Sequence, residues 1–457
     1  KGALEFDAHQ WSKSLWGYSN PNNHLLNTVL SRVSLSIWSK FSDPRGLPFN
    51  EVALRLPVFF AAIAGIAATA LMLRGLGFGG AGMIAAFLCA LHPWYLRYAT
   101  ESRGYGFMLL FLPLTIFFLH RGIRRGGWAP WLLFALCEFL LLYAFPGALL
   151  LVALLNMATL LSIWLCRDAK PQAWRLTGRW MAANAAAALV FIQLYAPCVP
   201  QLIRYTRGAR AQEGEMSLAW LLDILSFAFA GMPWHWPDSS NPIAVSVERT
   251  LAAMPLAWAL VSLLPALALV GFVRMLRRGP PTALFGLAFL VAGPAMYLLA
   301  RAINNYLYYM HMIFVLPLAV YLVGTGIEGI AALFRPHKAR IAAASVLLLA
   351  YAWGTNPQRV ALQTHPVEPQ RESVLLTRPS LGPGIPGTLD NLTGALSRNG
   401  GHLMTVPSYD VGAACIADAE DLIALIRRAD TENKPLHLNL AMLELARVEV
   451  RGPVSCG

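Results

Sequence analysis

Three short clusters hold most of the side chains able to do chemistry in this chain. The first is Glu5-Phe6-Asp7, with His9 close behind. The second is Asn20-Pro21-Asn22-Asn23-His24. The third runs from Arg97 through Tyr98, Ala99, Thr100, Glu101, Ser102, Arg103 and Gly104 to Tyr105. Asp7 could act as a general base, because a carboxylate within hydrogen-bond reach of a hydroxyl takes its proton as the oxygen attacks. A solvated loop carboxylate is the plain alternative. Glu5-x-Asp7 could hold a hard divalent cation, but two carboxylates are thin support. Nothing in the sequence requires a metal or another cofactor. His24 reads as a phosphate ligand or as an interfacial packing residue. On a helix, Arg97, Glu101 and Tyr105 are spaced i, i+4, i+8 and share one face. An arginine and a glutamate at a membrane boundary are costly unless paired or solvated. The pair is therefore a structural ion pair or part of an anionic headgroup site, since guanidinium grips phosphate bidentately.

The elements that must position these residues are apolar. The chain has 457 residues, 57% hydrophobic and 13% charged. A soluble domain carries ~25% charged residues, so composition alone puts the chain in the membrane class. A bilayer core takes ~20 apolar residues as helix. Ten segments qualify: 54–73, 79–96, 105–120, 128–143, 147–165, 180–199, 251–273, 283–300, 310–333 and 341–354. Before them, residues 1–53 mix aromatic and polar residues with Asn/Pro turns, and 25–41 suits a short amphipathic helix. The 14 Trp and 14 Tyr fit a chain with many membrane–water boundaries.

Loop charge orients the spans. Alternate loops carry Arg74; Arg121, Arg124 and Arg125; Arg167, Lys170, Arg175 and Arg179; Arg274, Arg277 and Arg278; and Arg335, Lys338 and Arg340. The other short loops carry only Arg97, Arg103 and Arg301. Positive charge marks the cytoplasmic side. The loops holding the three clusters, the segment 200–250 and the tail are thus expected outside. Ten spans would place both ends outside, and one more span before Lys1 is the simplest way to reach that topology. The net charge of +12 follows from these loops and does not signal nucleic-acid binding.

Three regions result: a first extracytoplasmic loop over 1–53, a transmembrane domain over 54–354, and a small extracytoplasmic α/β domain over 355–457. The tail offers strands at 402–406 and 436–440 and an amphipathic helix at 418–429. Of the six cysteines, Cys89, Cys137, Cys166 and Cys198 lie in or beside apolar segments, as buried thiols do. Cys415 and Cys456 lie in the tail, where a disulfide could form outside the cytoplasm.

The order of these motifs resembles the GT-C class of membrane glycosyltransferases. The acidic pair comes first, then Asn22-Asn23-His24-Leu25-Leu26-Asn27. Ala53-Leu54-Arg55-Leu56-Pro57 follows, then His92-Pro93-Trp94-Tyr95-Leu96-Arg97-Tyr98 and Glu101-Ser102-Arg103-Gly104-Tyr105. The nearest likeness is the branch of protein O-mannosyltransferases and lipid A aminoarabinose transferases, over roughly residues 5–125. One departure is clear: the branch often has Asp-Glu in its acidic motif, whereas Ala8 follows Asp7 and the second acid, Glu5, precedes it.

The resemblance implies an α-helical polytopic fold and an inverting sugar transfer from a polyprenyl-phosphate donor to an acceptor hydroxyl on a glycan, lipid or protein. It implies Asp7 as the catalytic base, with Glu5 as its partner. Arg103 and Arg97 would hold the donor phosphate, with His24 and Arg301 next. Glu101, Tyr105 and Asn23 would contact substrate. A bacterial inner membrane is the implied location, with the site facing outward. An oligosaccharide ligase using a pyrophosphate donor would share the architecture. A lipid or solute transporter is the rival from another class, but such folds often carry internal repeats, and the chain shows none.

Overall fold

A computed structural model describes residues 11–17, 24–41, 51–166, 170–208, 216–234, 255–302 and 309–364. Residues 247, 252 and 307 and four two-residue strands in the tail complete the described set. The helices in chain order are α1 (Trp11–Trp16), α2 (Leu25–Trp38), α3 (Glu51–Gly75), α4 (Gly79–Leu91), α5 (Pro93–Thr100), α6 (Tyr105–Arg125), α7 (Trp128–Ala144) and α8 (Leu149–Leu165). They continue as α9 (Ala173–Tyr195), α10 (Val199–Gly208), α11 (Leu218–Ala230), α12 (Pro255–Arg277), α13 (Pro280–Ala302), α14 (Val315–Ala331), α15 (His337–Gly354) and α16 (Asn356–Thr364). Among the described residues, five helices are long and apolar enough to cross a bilayer, or six if α4 and α5 count as one bent span. Large apolar side chains such as Phe60, Leu132, Leu189, Leu298 and Leu349 stay exposed on their outer faces. In water that surface would drive association; in a bilayer it faces lipid. The chain is a polytopic helical membrane protein.

Several helices run longer than the expected spans. The helix expected over 180–199 begins at Ala173, and that over 283–300 begins at Pro280. The added turns carry Arg175 and Arg179, and Arg121, Arg124 and Arg125 lie inside α6. Long basic side chains reach the interface from a helix end, so the helix need not stop where charge begins. The span expected over 310–333 is shorter as a helix, because Tyr309–Met312 forms a 3-10 turn and α14 starts at Val315.

The arginine-bearing ends gather at one end of the bundle. A Cβ on Gly77 would touch the Arg278 guanidinium. Arg274 pairs with Glu328 at 2.9 Å, and Gly80 donates its N–H to the same carboxylate at 2.9 Å. The α6–α7 turn closes on Gly126, whose left-handed φ of 66° caps α6 beside Arg179. Here α12 crosses α14 at backbone contact. A Cβ on Gly326 would fall 1.8 Å from the Leu267 carbonyl, and one on Gly271 1.9 Å from that of Leu322. Small residues permit such approach where no hydrophobic force drives helices together. The core runs through α3, α4, α6, α7, α12 and α14, with Trp131, Tyr95, Tyr321, Phe134 and Phe285 fully buried. The thiols of Cys89, Cys137, Cys166 and Cys198 are free and buried.

In the tail, β1 (Leu392–Thr393) pairs in parallel with β4 (Leu438–Asn439), and β2 (Arg398–Asn399) pairs antiparallel with β3 (His402–Leu403). β3 and β4 fall within the two expected strands. The expected helix at 418–429 lies outside the described residues, as do Cys415 and Cys456.

Candidate active site

The end opposite the arginine-rich turns is organised by a break in one span. The segment 79–96 does not form a single helix. It bends by 68° between α4 and α5. Proline disfavours helical geometry in the residue before it, and His92 is extended at φ −71°, ψ 122°. The His92 side chain then makes the break an asset. Its Nδ1 accepts the N–H of Trp94 at 3.2 Å, capping α5, and its Nε2 lies 3.3 Å from the carbonyl oxygen of Ala228 at the end of α11. An Nδ1 that accepts leaves the proton on Nε2, so both contacts are satisfied by one tautomer. His92 is thus a buried fixture of the scaffold.

The break lets α5 lie across the end of the bundle and return through residues 101–104 to α6. Glu101 ends α5 in an extended conformation, at ψ 132°. Asn27 of α2 holds the return segment, donating from Nδ2 to the Ser102 carbonyl at 2.8 Å. Ser31, one turn on, donates to the Leu54 carbonyl at 3.0 Å and lies 3.5 Å from the Ser102 hydroxyl. The expectation that Arg97, Glu101 and Tyr105 share one helix face is therefore corrected. Arg97 and Glu101 remain ion-paired, but Tyr105 opens a new helix after the bend.

The two arginines and Glu101 form the charged centre. Arg97 Nε pairs with Glu101 Oε1. Arg103 Nε stands 3.9 Å from Glu101 Oε2. One carboxylate thus sits between two guanidinium groups, leaving positive charge in excess at a partly buried place. The Arg97 guanidinium carbon lies over two aromatic rings, 4.3 Å from the Trp94 centroid and 5.8 Å from that of Tyr98. Cation–π attraction to these rings helps hold the guanidinium in place.

His24 lies beside this centre, at the start of α2. Its Nδ1 sits 3.1 Å from the Ala144 carbonyl oxygen at the end of α7. A carbonyl only accepts, so Nδ1 carries the proton and Nε2 presents a lone pair. That Nε2 is buried and has no hydrogen-bond partner among the described residues. The ring packs edge-on against Tyr105 at 4.7 Å and near Phe145 at 6.3 Å. Burial drives the imidazole pKa down from 6.5 to about 4; the Ala144 bond opposes this, and the charges of Arg103 and His311 add to it. His311, in the 3-10 turn before α14, is likewise held below its ordinary range by burial.

Four expected site residues therefore come together: His24, Arg97, Glu101 and Arg103, with Tyr105 buried behind them. Arg301 is exposed in the last turn of α13, and no described contact ties it to the others. Glu5, Asp7, His9 and Asn23 lie outside the described residues. His311 falls in the first residues of the apolar segment 310–333, where composition points to packing and nothing local marks it as a site residue. Among the described residues, no group of three or more His, Cys, Asp or Glu could hold a metal ion.

Beside Arg97 lies an apolar pocket open on one side, walled by Trp94, Tyr98, Ile224, Phe227, Met312 and Leu316 among others. Trp94 and Tyr98 are the rings that carry Arg97. The pocket and the cation thus share a wall.

No family model matches the sequence, and no curated protein does. Solved structures do match in shape. ArnT from Cupriavidus metallidurans, in the apo state and bound to undecaprenyl phosphate, superimposes with a TM-score of 0.52 at 13% identity. Each match covers 95% of this chain and 83% of that one. The oligosaccharyltransferase AglB from Archaeoglobus fulgidus, in complex with an inhibitory peptide and a dolichol-phosphate, gives a TM-score of 0.45 at 13% identity, over 80% of this chain and 53% of that one. The chain has the membrane fold of ArnT, in keeping with the GT-C resemblance of its motifs.

Proposed function

We propose that this chain is a glycosyltransferase that moves a sugar from a polyprenyl-phosphate donor to an acceptor hydroxyl, with inversion at the anomeric carbon. The observation that carries the reading is the shared wall. Arg97 lies over Trp94 and Tyr98, and those rings line an apolar pocket. A ligand with a phosphate on a hydrocarbon chain matches a cation beside an apolar pocket. The ArnT fold adds weight, since that protein has been solved with undecaprenyl phosphate.

In this mechanism Arg97 and Arg103 hold the donor phosphate. Glu101 keeps the two guanidinium groups apart and oriented. Asp7 takes the proton from the acceptor hydroxyl as its oxygen bonds to the anomeric carbon. The bond from that carbon to the phosphate oxygen breaks, and polyprenyl phosphate leaves with the electron pair. The arginines meet the charge that develops on the leaving oxygen, where preorganised donors act most strongly. Neutral His24 contributes an acceptor, through Nε2, to a hydroxyl of the bound substrate. Tyr105, Asn23 and Arg301 complete the assignment as substrate and phosphate contacts.

The first loop over 1–53 then forms half of the site, and the tail over 355–457 belongs to the same, extracytoplasmic side of a bacterial inner membrane. The test is transfer from a synthetic polyprenyl-phosphate sugar by the purified chain in nanodiscs. Release of polyprenyl phosphate that depends on acceptor supports the proposal. Binding without any transfer to glycan, lipid or protein acceptors would overturn it. Turnover of pyrophosphate-linked oligosaccharides alone would point to a ligase instead.

A further inference from the structure

The bend at His92 leaves carbonyls at the C-terminal end of α4 without helical partners, as any helix end does. One of them, that of Leu91, accepts from Arg359 Nη1 at 3.0 Å, across 268 residues of chain. Arg359 lies in α16. Its other terminal nitrogen, Nη2, donates to the Ala352 carbonyl in the last turn of α15. Nη1 also donates to the Thr355 hydroxyl at 2.8 Å, and Nη2 to Asn356 Oδ1 at 3.3 Å. The Thr355 hydroxyl donates in turn to the Tyr351 carbonyl at 2.8 Å. One guanidinium thus joins the C-terminal ends of two helices, α4 and α15.

Charge explains why an arginine stands there. A helix C-terminus carries partial negative charge, and two such ends meet at this point. Within α16 the position is unfavourable, because Arg359 falls in the first turn, where a cation opposes the helix dipole. The residue is therefore placed for α4 and α15 rather than for its own helix. Its planar fork reaches both carbonyls at once, which a single ammonium does less well. Both terminal nitrogens are taken up by protein acceptors, so the group braces the helices and is poorly placed to bind an anion.

The brace holds the base of α5. Leu91 lies just before the bend, and α16 also packs against α5, the helix that carries Trp94, Arg97 and Tyr98. His92 ties the bend to α11, and the Tyr95 hydroxyl ties α5 to the Ala62 carbonyl of α3 at 2.9 Å. Arg359 supplies the tie to α15. We propose that Arg359 is a positioning residue for the donor-phosphate site: it sets the angle of α5 at the bend, and so the place of Arg97, without touching the donor. The role rests on the transferase reading for its ligand.

The experiment uses the full chain in nanodiscs and two measurements. Hydrogen exchange over residues 93–104 follows α5 with no ligand present. Affinity for undecaprenyl phosphate, against uncharged polyprenol, follows the site. Arg359→Ala is expected to speed exchange over 93–104 and leave α7 unchanged. It should weaken undecaprenyl phosphate binding by roughly 3- to 30-fold, as the fraction of chains with α5 in place falls, with polyprenol affinity held. The loss should vanish in an Arg97→Ala background, because residues that act through one another are not additive. Arg359→Lys keeps the charge at the two helix ends; it should recover part of both effects, and serves where the alanine variant does not fold. Unchanged exchange over 93–104 in both variants would overturn the proposal. So would equal losses for the phosphate and polyprenol, which mark a general loosening, or a loss undiminished by Arg97→Ala. A wild type that fails to bind undecaprenyl phosphate would remove the transferase reading and this role together. A wild type that binds it, with Arg359 variants that bind equally well, would remove this role alone.

Discussion

The Nδ1 of His24 lies 3.1 Å from the carbonyl oxygen of Ala144, across 120 residues of chain. This bond fixes which nitrogen carries the proton and so what His24 can do. A neutral imidazole with a bare Nε2 accepts; it does not bind a phosphate as a cation. A pH dependence follows. The folded pKa of about 4 lies below the ordinary 6.5, so the unfolded chain binds the proton more tightly. Stability from this group is full above pH 6.5 and falls as pH drops toward 4, by at most about 3 kcal/mol. Thermal midpoints between pH 7 and 4.5 should fall more steeply for the wild type than for His24→Gln. Parallel curves would remove His24 as their source. Histidine nitrogen NMR with undecaprenyl phosphate bound gives a direct check: Nε2 should stay unprotonated.

Gly104 is the position on which that bond depends. A Cβ there would fall 2.2 Å from the Ala144 carbonyl oxygen and 2.7 Å from His24 Nδ1. Neither atom can yield without breaking the bond. Gly104→Ala is expected to destabilise the chain by about 1–3 kcal/mol and to unlock the His24 ring. The check is the thermal midpoint together with the His24 nitrogen shifts. An alanine variant with native stability and an unchanged Nδ1–H signal would show that the helices separate freely at this point.

Much of this was legible in the sequence, and the failures share a cause. The apolar helices follow from composition and length, which are local properties, although only five of the described helices, or six with the bent pair, are long and apolar enough to cross a bilayer against the ten segments expected. The charged hairpin was visible because Arg97, Glu101 and Arg103 lie within seven residues. The sequence misled where a long-range contact overrode local periodicity. Spacing alone puts Arg97, Glu101 and Tyr105 on one helix; the chain instead leaves the helix at extended Glu101, with Asn27 of α2 gripping Ser102, before Tyr105 opens the next. The pairing of His24 with Ala144, and the effect of His311 on His24, join residues 120 and 287 positions apart. No spacing rule reaches that far.

Arg97 and Arg103 differ in their surroundings, and their variants should differ too. Arg97 is paired with Glu101 and held over the Trp94 ring; Arg103 stands 3.9 Å from the same carboxylate. Arg103→Ala is expected to weaken polyprenyl-phosphate binding by roughly 10- to 100-fold, the span of one charge-assisted bond, with stability little changed. Arg97→Lys should lose the planar fork over Trp94, lowering both donor affinity and the thermal midpoint. Binding isotherms with the phosphate and with its uncharged polyprenol separate the two effects. Unchanged affinity in Arg103→Ala would take it out of the phosphate site.

Asp7→Asn tests the chemistry apart from binding. Asparagine keeps the size and the hydrogen-bonding oxygen but cannot take a proton. If Asp7 is the base, the maximal rate should fall by about 10²–10⁴, while affinity for the donor and the thermal midpoint hold. Glu5→Gln should cost less, because the acid before Asp7 stands where the resemblance has no counterpart. A loss of donor affinity in Asp7→Asn without loss of rate at saturation would make Asp7 a binding residue. Full activity would place the base elsewhere, and His24 Nε2 would then be the first group to test. It is a buried acceptor with no partner among the described residues, beside Arg103, at the end of the bundle where the donor is proposed to bind.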